Sequence, residues 1–291
     1  MNTKETIVVV GYGWVGQANA LALSRLGCRV SYYDIAEPQI HYPEFSDLYR
    51  TIPRIHDLFE QDALNTWYMV CVGDTVRDGY QDVSRIKDAL DNLRNAKGKV
   101  MLRSTILPQY LKDLRFHCYM PEFLHEKNAV EEALHPYYLV LSYREGAEEP
   151  EFVKELKNRS GKIFVGTPEE ASYIKYLSNS WNAIRIAFIN EFGDLVSKSG
   201  FNPNNVLNFI FEGRGYLRYG KSFGGHCLPK DLSALAGSHK SDFFKAVLEV
   251  NEAHKEREKD LPEWFSSWNQ RSTVSYRALV RMLIKKLVKK S

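Results

Sequence analysis

The chain has 291 residues, 44% hydrophobic and 26% charged, proportions that exclude a disordered chain, a collagen-like repeat and a disulfide scaffold. Its net charge of +3 is unevenly placed: seven basic residues and no acid fall within 271–291, so +3 less those seven leaves −4 on the first 270. A general nucleic-acid binder would carry its positive charge on the folded body, so no nucleic-acid partner is expected.

In chain order, Ile7–Val10 is a β-branched run that predicts a strand buried on both faces. Ala18–Leu26 has helical spacing and ends at Gly27; Arg29–Tyr33 predicts a second strand closing on Asp34. Further strands are expected at Trp67–Val72, Lys99–Arg103, Phe116–Met120, Tyr138–Ser142 and Lys162–Val165. Helical stretches near 82–94, 108–114 and 148–158 lie between some of them. This alternation predicts a mostly parallel, doubly wound α/β sheet. After about residue 166 only helices follow: Pro168–Ser199, capped by Thr167, then 203–211, 229–236 and 242–260. The expected domains are 1–166, a Rossmann-type unit; 167–260, an all-helical dimerisation unit; and 261–291, a tail.

Gly11-Tyr12-Gly13-Trp14-Val15-Gly16 follows the first strand and opens the first helix, with Asp34 at the end of the second strand. That context makes a G-x-G-x-x-G turn informative. Gly11 permits the tight turn, Gly13 lets a pyrophosphate approach the backbone, and Gly16 lets helix and strand pack closely. The helix N-terminus adds unpaired N–H groups. Asp34 suits both ribose hydroxyls and repels a 2′-phosphate, so NAD is expected rather than NADP.

The four cysteines, Cys28, Cys71, Cys118 and Cys227, form no C-x-x-C pair, so no metal site is expected. No apolar run approaches 18 residues and no leader is apparent, which points to a cytoplasmic protein.

Three more segments carry the strongest signal. They are Phe223-Gly-Gly-His-Cys-Leu-Pro-Lys-Asp231, the stretch from Ile174 to Glu191, and Pro121-Glu-Phe-Leu-His-Glu126; Ser104-Thr105 after a strand adds to them. With the glycine turn, this ordered set resembles the UDP-glucose/GDP-mannose 6-dehydrogenase family, from the N-terminus to about residue 255. The resemblance implies oxidation of a sugar-nucleotide primary alcohol to the carboxylate, with two NAD per turnover. It implies Cys227 as the nucleophile, forming a thiohemiacetal and then a thioester that water cleaves. Lys175 and Asn179, one helical turn apart, would stabilise the alkoxide and oxyanion. Asp231 would orient the lysine and a water, Glu126 would assist thioester hydrolysis, and Thr105 would hold that water. Glu122 reads as structural. Thr75 and Ser104 match cofactor contacts. Phe123, Leu124, Phe223 and Gly224 match sugar contacts, and Lys230 a substrate or phosphate contact. Cys28, Cys71 and Cys118 read as inert buried thiols. The family dimerises through its helical domain, and the apolar content of 168–199 suits a homodimer.

Four departures stand out. Val72-Gly73-Asp74-Thr75-Val76 replaces the family's Val-Pro-Thr-Pro turn, and Lys127 stands where a glycine usually follows the glutamate. The segment before Phe223 is short, and either Arg214 or Arg218 matches an arginine that reaches the partner subunit's substrate. The family's third, nucleotide-holding domain has no counterpart in the residues beyond 257, so UDP specificity does not carry over. Thr273–Lys290 instead predicts a basic amphipathic helix with Arg277, Arg281, Lys285 and Lys289. It would pack on the subunit or its dimer mate, or meet an anionic membrane or acidic partner. A simple two-electron hydroxyacid or alcohol dehydrogenase, and a non-catalytic NAD-binding homologue, are the competing readings.

Overall fold

A computed structural model describes residues 5–211 and 217–260. Arg214 and the expected tail helix lie outside the described residues. Contacts divide the chain into two units, one of Met1–Arg77 with Gln81–Tyr176, the other of Asp78–Tyr80 with Leu177–Ser291.

The first unit runs β1 (Thr6–Val10), α1 (Trp14–Arg25), β2 (Arg29–Tyr33), α2 (Ser46–Tyr49), β3 (Thr66–Val70), then the short strands β4 (Thr75–Arg77) and, from Gln81 on, β5 (Tyr80–Asp82). It continues with α3 (Ser84–Asn92), β6 (Lys99–Leu102), α4 (Pro108–Leu111), β7 (Cys118–Tyr119), α5 (Ala129–Leu134), β8 (Tyr138–Tyr143), α6 (Glu151–Arg159), β9 (Lys162–Val165) and the start of α7 (Pro168–Lys198). Seven strands form one sheet in the order β2-β1-β3-β6-β7-β8-β9, parallel throughout except between β7 and β8. The doubly wound expectation is met, with one antiparallel pair added.

Strand β1 shows why. All five of its residues are buried, and alternate side chains enter different cores. Ile7 and Val9 pack in one core with Leu21 of α1, Val130 of α5 and Phe152 of α6. Val8 and Val10 pack in the other with Ile86 and Leu90 of α3, Leu111 of α4 and Ala171 of α7. The chain leaves β1 toward β2 and returns to the opposite flank of β1 at β3. That reversal opens a crevice at the C-terminal ends of β1 and β3, where open α/β sheets bind ligands.

Between β4 and β5 the turn residues Asp78 and Gly79 both have positive φ, +50° and +77°. That is the type I′ geometry whose twist suits a two-residue hairpin.

The second unit contains the rest of α7, then α8 (Pro203–Phe211), α9 (Cys227–His239) and α10 (Asp242–Arg257). The N-terminus of α7 carries a reciprocal cap: the Glu170 amide donates to Thr167 Oγ1 at 3.2 Å, and the Thr167 amide to Glu170 Oε2 at 2.9 Å. Ala183 and Ala187 of α7 pack with Phe223, Leu232 of α9 and Val247 of α10. Tyr173, Leu177, Trp181, Phe188, Phe192 and Leu195 form an exposed apolar stripe along α7. Among the described residues, no helix is long and apolar enough to cross a membrane.

Candidate active site

In the first unit the glycine turn is built on two close approaches. Gly11 has φ +88°, and a Cβ there would lie 3.1 Å from the Val72 amide nitrogen. A Cβ on Gly16 would lie 2.0 Å from the Gly11 carbonyl oxygen, so only glycine lets α1 pack against the turn. Gly16→Ala is expected to lower stability by about 1–3 kcal/mol, the scale of an overpacked core. A fall in the urea midpoint with unchanged slope checks this. A Cβ on Gly13 meets nothing within 4 Å, so space remains over the first turn of α1. Asp34 borders that turn: its carboxylate accepts from the Tyr12 amide at 2.6 Å and the Ala36 amide at 3.0 Å.

Tyr12 is buried and stacks on Tyr32 at 3.7 Å, whereas Trp14 is exposed and stacks on His41 at 4.1 Å. The side chain of Val15 is half-buried. Ser104 donates to the Val72 carbonyl at 2.6 Å, and Thr75 lies half-buried in β4.

Two amides that sequence reasoning missed organise this region. Gln17, fully buried in α1, donates to the Tyr12 and Gln39 carbonyls at 2.8 and 2.7 Å. Its oxygen accepts from the His41 amide at 3.0 Å and the Tyr49 hydroxyl at 2.5 Å. Gln81 of β5 donates to Asp74 at 2.5 Å and to the Thr105 carbonyl at 3.0 Å, and accepts from the Leu107 amide at 2.8 Å. Gln81 thus ties the hairpin to the Ser104-Thr105 segment.

Lys175 is buried, with its ammonium 3.1 Å from Glu122 and 5.3 Å from the centre of the Phe123 ring. Burial alone would raise the Glu122 carboxyl, but Lys175, the Leu124 amide at 2.7 Å and Arg103 hold it below its ordinary value. Glu122, read from the sequence as structural, is the carboxylate that partners the lysine. Leu124 is half-buried, while Glu126 and Lys127 are exposed in one 3₁₀ turn.

In the second unit, Cys227 is the first residue of α9 and exposed, a position where the helix dipole favours a thiolate. Cys28 and Cys118 are buried as expected, whereas Cys71 is half-buried; desolvation still pushes the Cys71 and Cys118 thiols up to about 12, which suits inert thiols. One turn along α9, Asp231 is buried and accepts from Asn179 of α7 at 2.6 Å and from Lys230 at 2.7 Å.

The segment leading to Cys227 is held by two buried amides. Asn190 of α7 accepts from the Gly220 amide at 3.0 Å and donates to the Lys221 carbonyl at 2.7 Å. Asn251 of α10 accepts from the Phe223 amide at 2.8 Å and donates to its carbonyl at 3.0 Å. Phe223 is buried, Gly224 exposed and Arg218 half-buried.

UDP-glucose 6-dehydrogenase of Rickettsia bellii is 30% identical over 290 residues, covering 86% of this chain and 67% of that protein. The chain belongs to the UDP-glucose/GDP-mannose dehydrogenase family. Residues 169–253 match that family's central domain. The UDP-glucose 6-dehydrogenase of Campylobacter jejuni is 27% identical over 284 residues, covering 86% of this chain and 72% of that one. A solved UDP-glucose dehydrogenase from Pyrobaculum islandicum superposes with a TM-score of 0.77 at 27% identity, over 87% of this chain and 69% of its own. The chain therefore spans about two thirds of the length of these relatives. As a member of this family it is a dehydrogenase acting on CH–OH donors.

Proposed function

We propose that this family member oxidises the primary alcohol of a sugar nucleotide to the carboxylate, with Cys227 as the nucleophile. The observation that carries it is the 2.6 Å bond from Asn179 to Asp231, one turn along α9 from Cys227. It ties a residue suited to holding an oxyanion to the helix that presents the thiol. Family membership supports the sugar-nucleotide class of substrate.

The residues of the glycine turn suit a dinucleotide, through the space over Gly13 and the Asp34 carboxylate beside it. Bound NAD would take up the hydride in each of the two oxidations. Gly11–Gly16 would face its pyrophosphate, Asp34 its ribose, and Ser104 and Thr75 would flank it.

Lys175 and Asn179 stabilise charge on the substrate oxygen as the alcohol becomes an aldehyde. The Cys227 thiolate adds to that aldehyde, giving a thiohemiacetal. Loss of hydride and a proton leaves a thioester. Water adds to the thioester carbonyl, the tetrahedral species expels the thiolate, and the carboxylate is released. Glu126 takes the proton from that water, and Thr105 holds it. Asp231 fixes Asn179 and Glu122 fixes Lys175. Phe123, Leu124, Phe223, Gly224 and Lys230 contact the substrate, and Arg214 or Arg218 reaches the substrate of a partner subunit.

The test is the yield of NADH with UDP-glucose, GDP-mannose and related nucleotide sugars. Two equivalents per substrate with carboxylate product are expected; one equivalent with an aldehyde or ketone product refutes the reading. A Cβ at Gly13 meets nothing within 4 Å, so Gly13→Val is expected to keep an unchanged melting curve and to abolish NAD binding in a calorimetric titration.

The exposed stripe on α7 supports a homodimer. Trp181→Glu with Phe188→Glu is expected to halve the mass seen in sedimentation velocity. A wild-type protein already at monomer mass would refute the dimer.

A further inference from the structure

The first unit has a second concavity that the proposed chemistry does not use. It lies at the N-terminal ends of the parallel strands, beside the start of β6 and the residues just before β7. The dinucleotide crevice lies at the opposite, C-terminal ends. The cavity has a volume of about 500 Å³, within the 300–1,000 Å³ range typical of small-molecule sites.

Four cations line it, Arg94, Lys112, Arg115 and Arg144, and no carboxylate does. The side chains of Arg94, Lys112 and Arg115 are exposed and make no hydrogen bond or ion pair among the described residues. Arg144 is held in place, donating to the Leu111 carbonyl at 2.8 Å and lying 4.5 Å over the Phe116 ring. The floor is apolar and buried: Leu93, Leu114 and Phe116.

A cation beside the C-terminus of α3 would by itself suit the helix dipole. Four cations around one concavity, in a body whose first 270 residues are net acidic, exceed that need. Unpartnered like charges repel one another, and a multivalent anion relieves the repulsion. Arginines in particular match phosphate oxygens through paired N–H groups.

We propose that this basin binds a small phosphate-bearing anion, with phosphates at Arg94, Lys112 and Arg115, as a second ligand site separate from the dinucleotide crevice. The shared chemistry is several phosphate charges on one small molecule, either a nucleoside phosphate or a bare polyphosphate.

The test titrates tripolyphosphate and ADP into the full chain by calorimetry, in the wild type and in Gly13→Val, where the crevice is blocked. Saturable one-to-one binding, weakening steeply with salt, is expected in Gly13→Val for both probes, and the wild type is expected to show the same site, with the open crevice as a second site for ADP. The double substitution Arg94→Ser/Arg115→Ser, on exposed positions outside the catalytic set, is expected to weaken it at least tenfold while leaving the melting curve unchanged. Tighter binding of ADP identifies a nucleoside phosphate, whose base would take the apolar floor. Equal or weaker ADP binding identifies the polyphosphate. Absence of saturable binding in Gly13→Val, or binding unaffected by the double substitution, overturns the proposal.

Discussion

Cys227→Ser is expected to stop carboxylate formation, lowering its rate by on the order of 10³-fold, the scale of removing an activated nucleophile. The hydroxyl is far less nucleophilic than a thiolate opening a helix, so the aldehyde is not captured. The first oxidation does not need the sulfur. The variant should therefore release about one NADH for each aldehyde formed, where the wild type gives two per carboxylate. Quenching wild-type enzyme during turnover with hydroxylamine should convert the thioester to a hydroxamate, and the serine variant should yield none. A serine variant that still delivers both equivalents would remove Cys227 from the chemistry. Its helix-terminal position would then be incidental.

Glu122→Gln is expected to be the most destabilising single change at the site. It leaves the Lys175 ammonium, 3% exposed as a residue, without its counter-charge. Breaking a buried pair from one side costs about 3–5 kcal/mol. Adding Lys175→Met should restore most of that stability, since the stranded charge is gone, while the double variant remains catalytically poor. Lys175→Met alone should lower kcat by on the order of 10²–10³, as for losing one oxyanion donor. The pH dependence follows from the same pair. The folded-state carboxyl of Glu122 lies below its ordinary value of 4.5. Between the folded value and 4.5 the unfolded chain binds more protons, so stability rises with pH through that window. The contribution is complete above the unfolded value and disappears as pH falls through the folded one. Urea melts from pH 7 downward should show an acid-side loss that is absent from the Glu122→Gln/Lys175→Met protein.

The sheet was legible because its signals are local. Ile7–Val10 is apolar at every position, which a strand buried on both faces requires, and the turn after it has glycine at its two tight contacts. The Thr167 cap was equally plain. The β4–β5 hairpin was missed although its signal was present, an Asp-Gly pair between Thr75–Arg77 and Tyr80–Asp82. Helix α5, six residues long, is too short to declare a period.

At the site, residue types were readable and partnerships were not. Glu122 and Glu126 are four positions apart, and no spacing rule says which is buried against Lys175. The amides of Gln17, Gln81, Asn190 and Asn251 have no periodic signature. A buried amide announces itself only through the backbone groups it satisfies, and these come from distant parts of the chain.

The Gln17 amide has a consequence for how fast a ligand is taken up. It fastens Gln39 and His41, in the loop after Asp34, to the helix whose N-terminus would meet a pyrophosphate. Ordering a residue's backbone costs about 1–2 kcal/mol, and here that cost falls during folding rather than at the moment of encounter. A dinucleotide arriving at the ribose side would find its walls already standing. Association would then be limited by diffusion and orientation, with no loop-closing step before it.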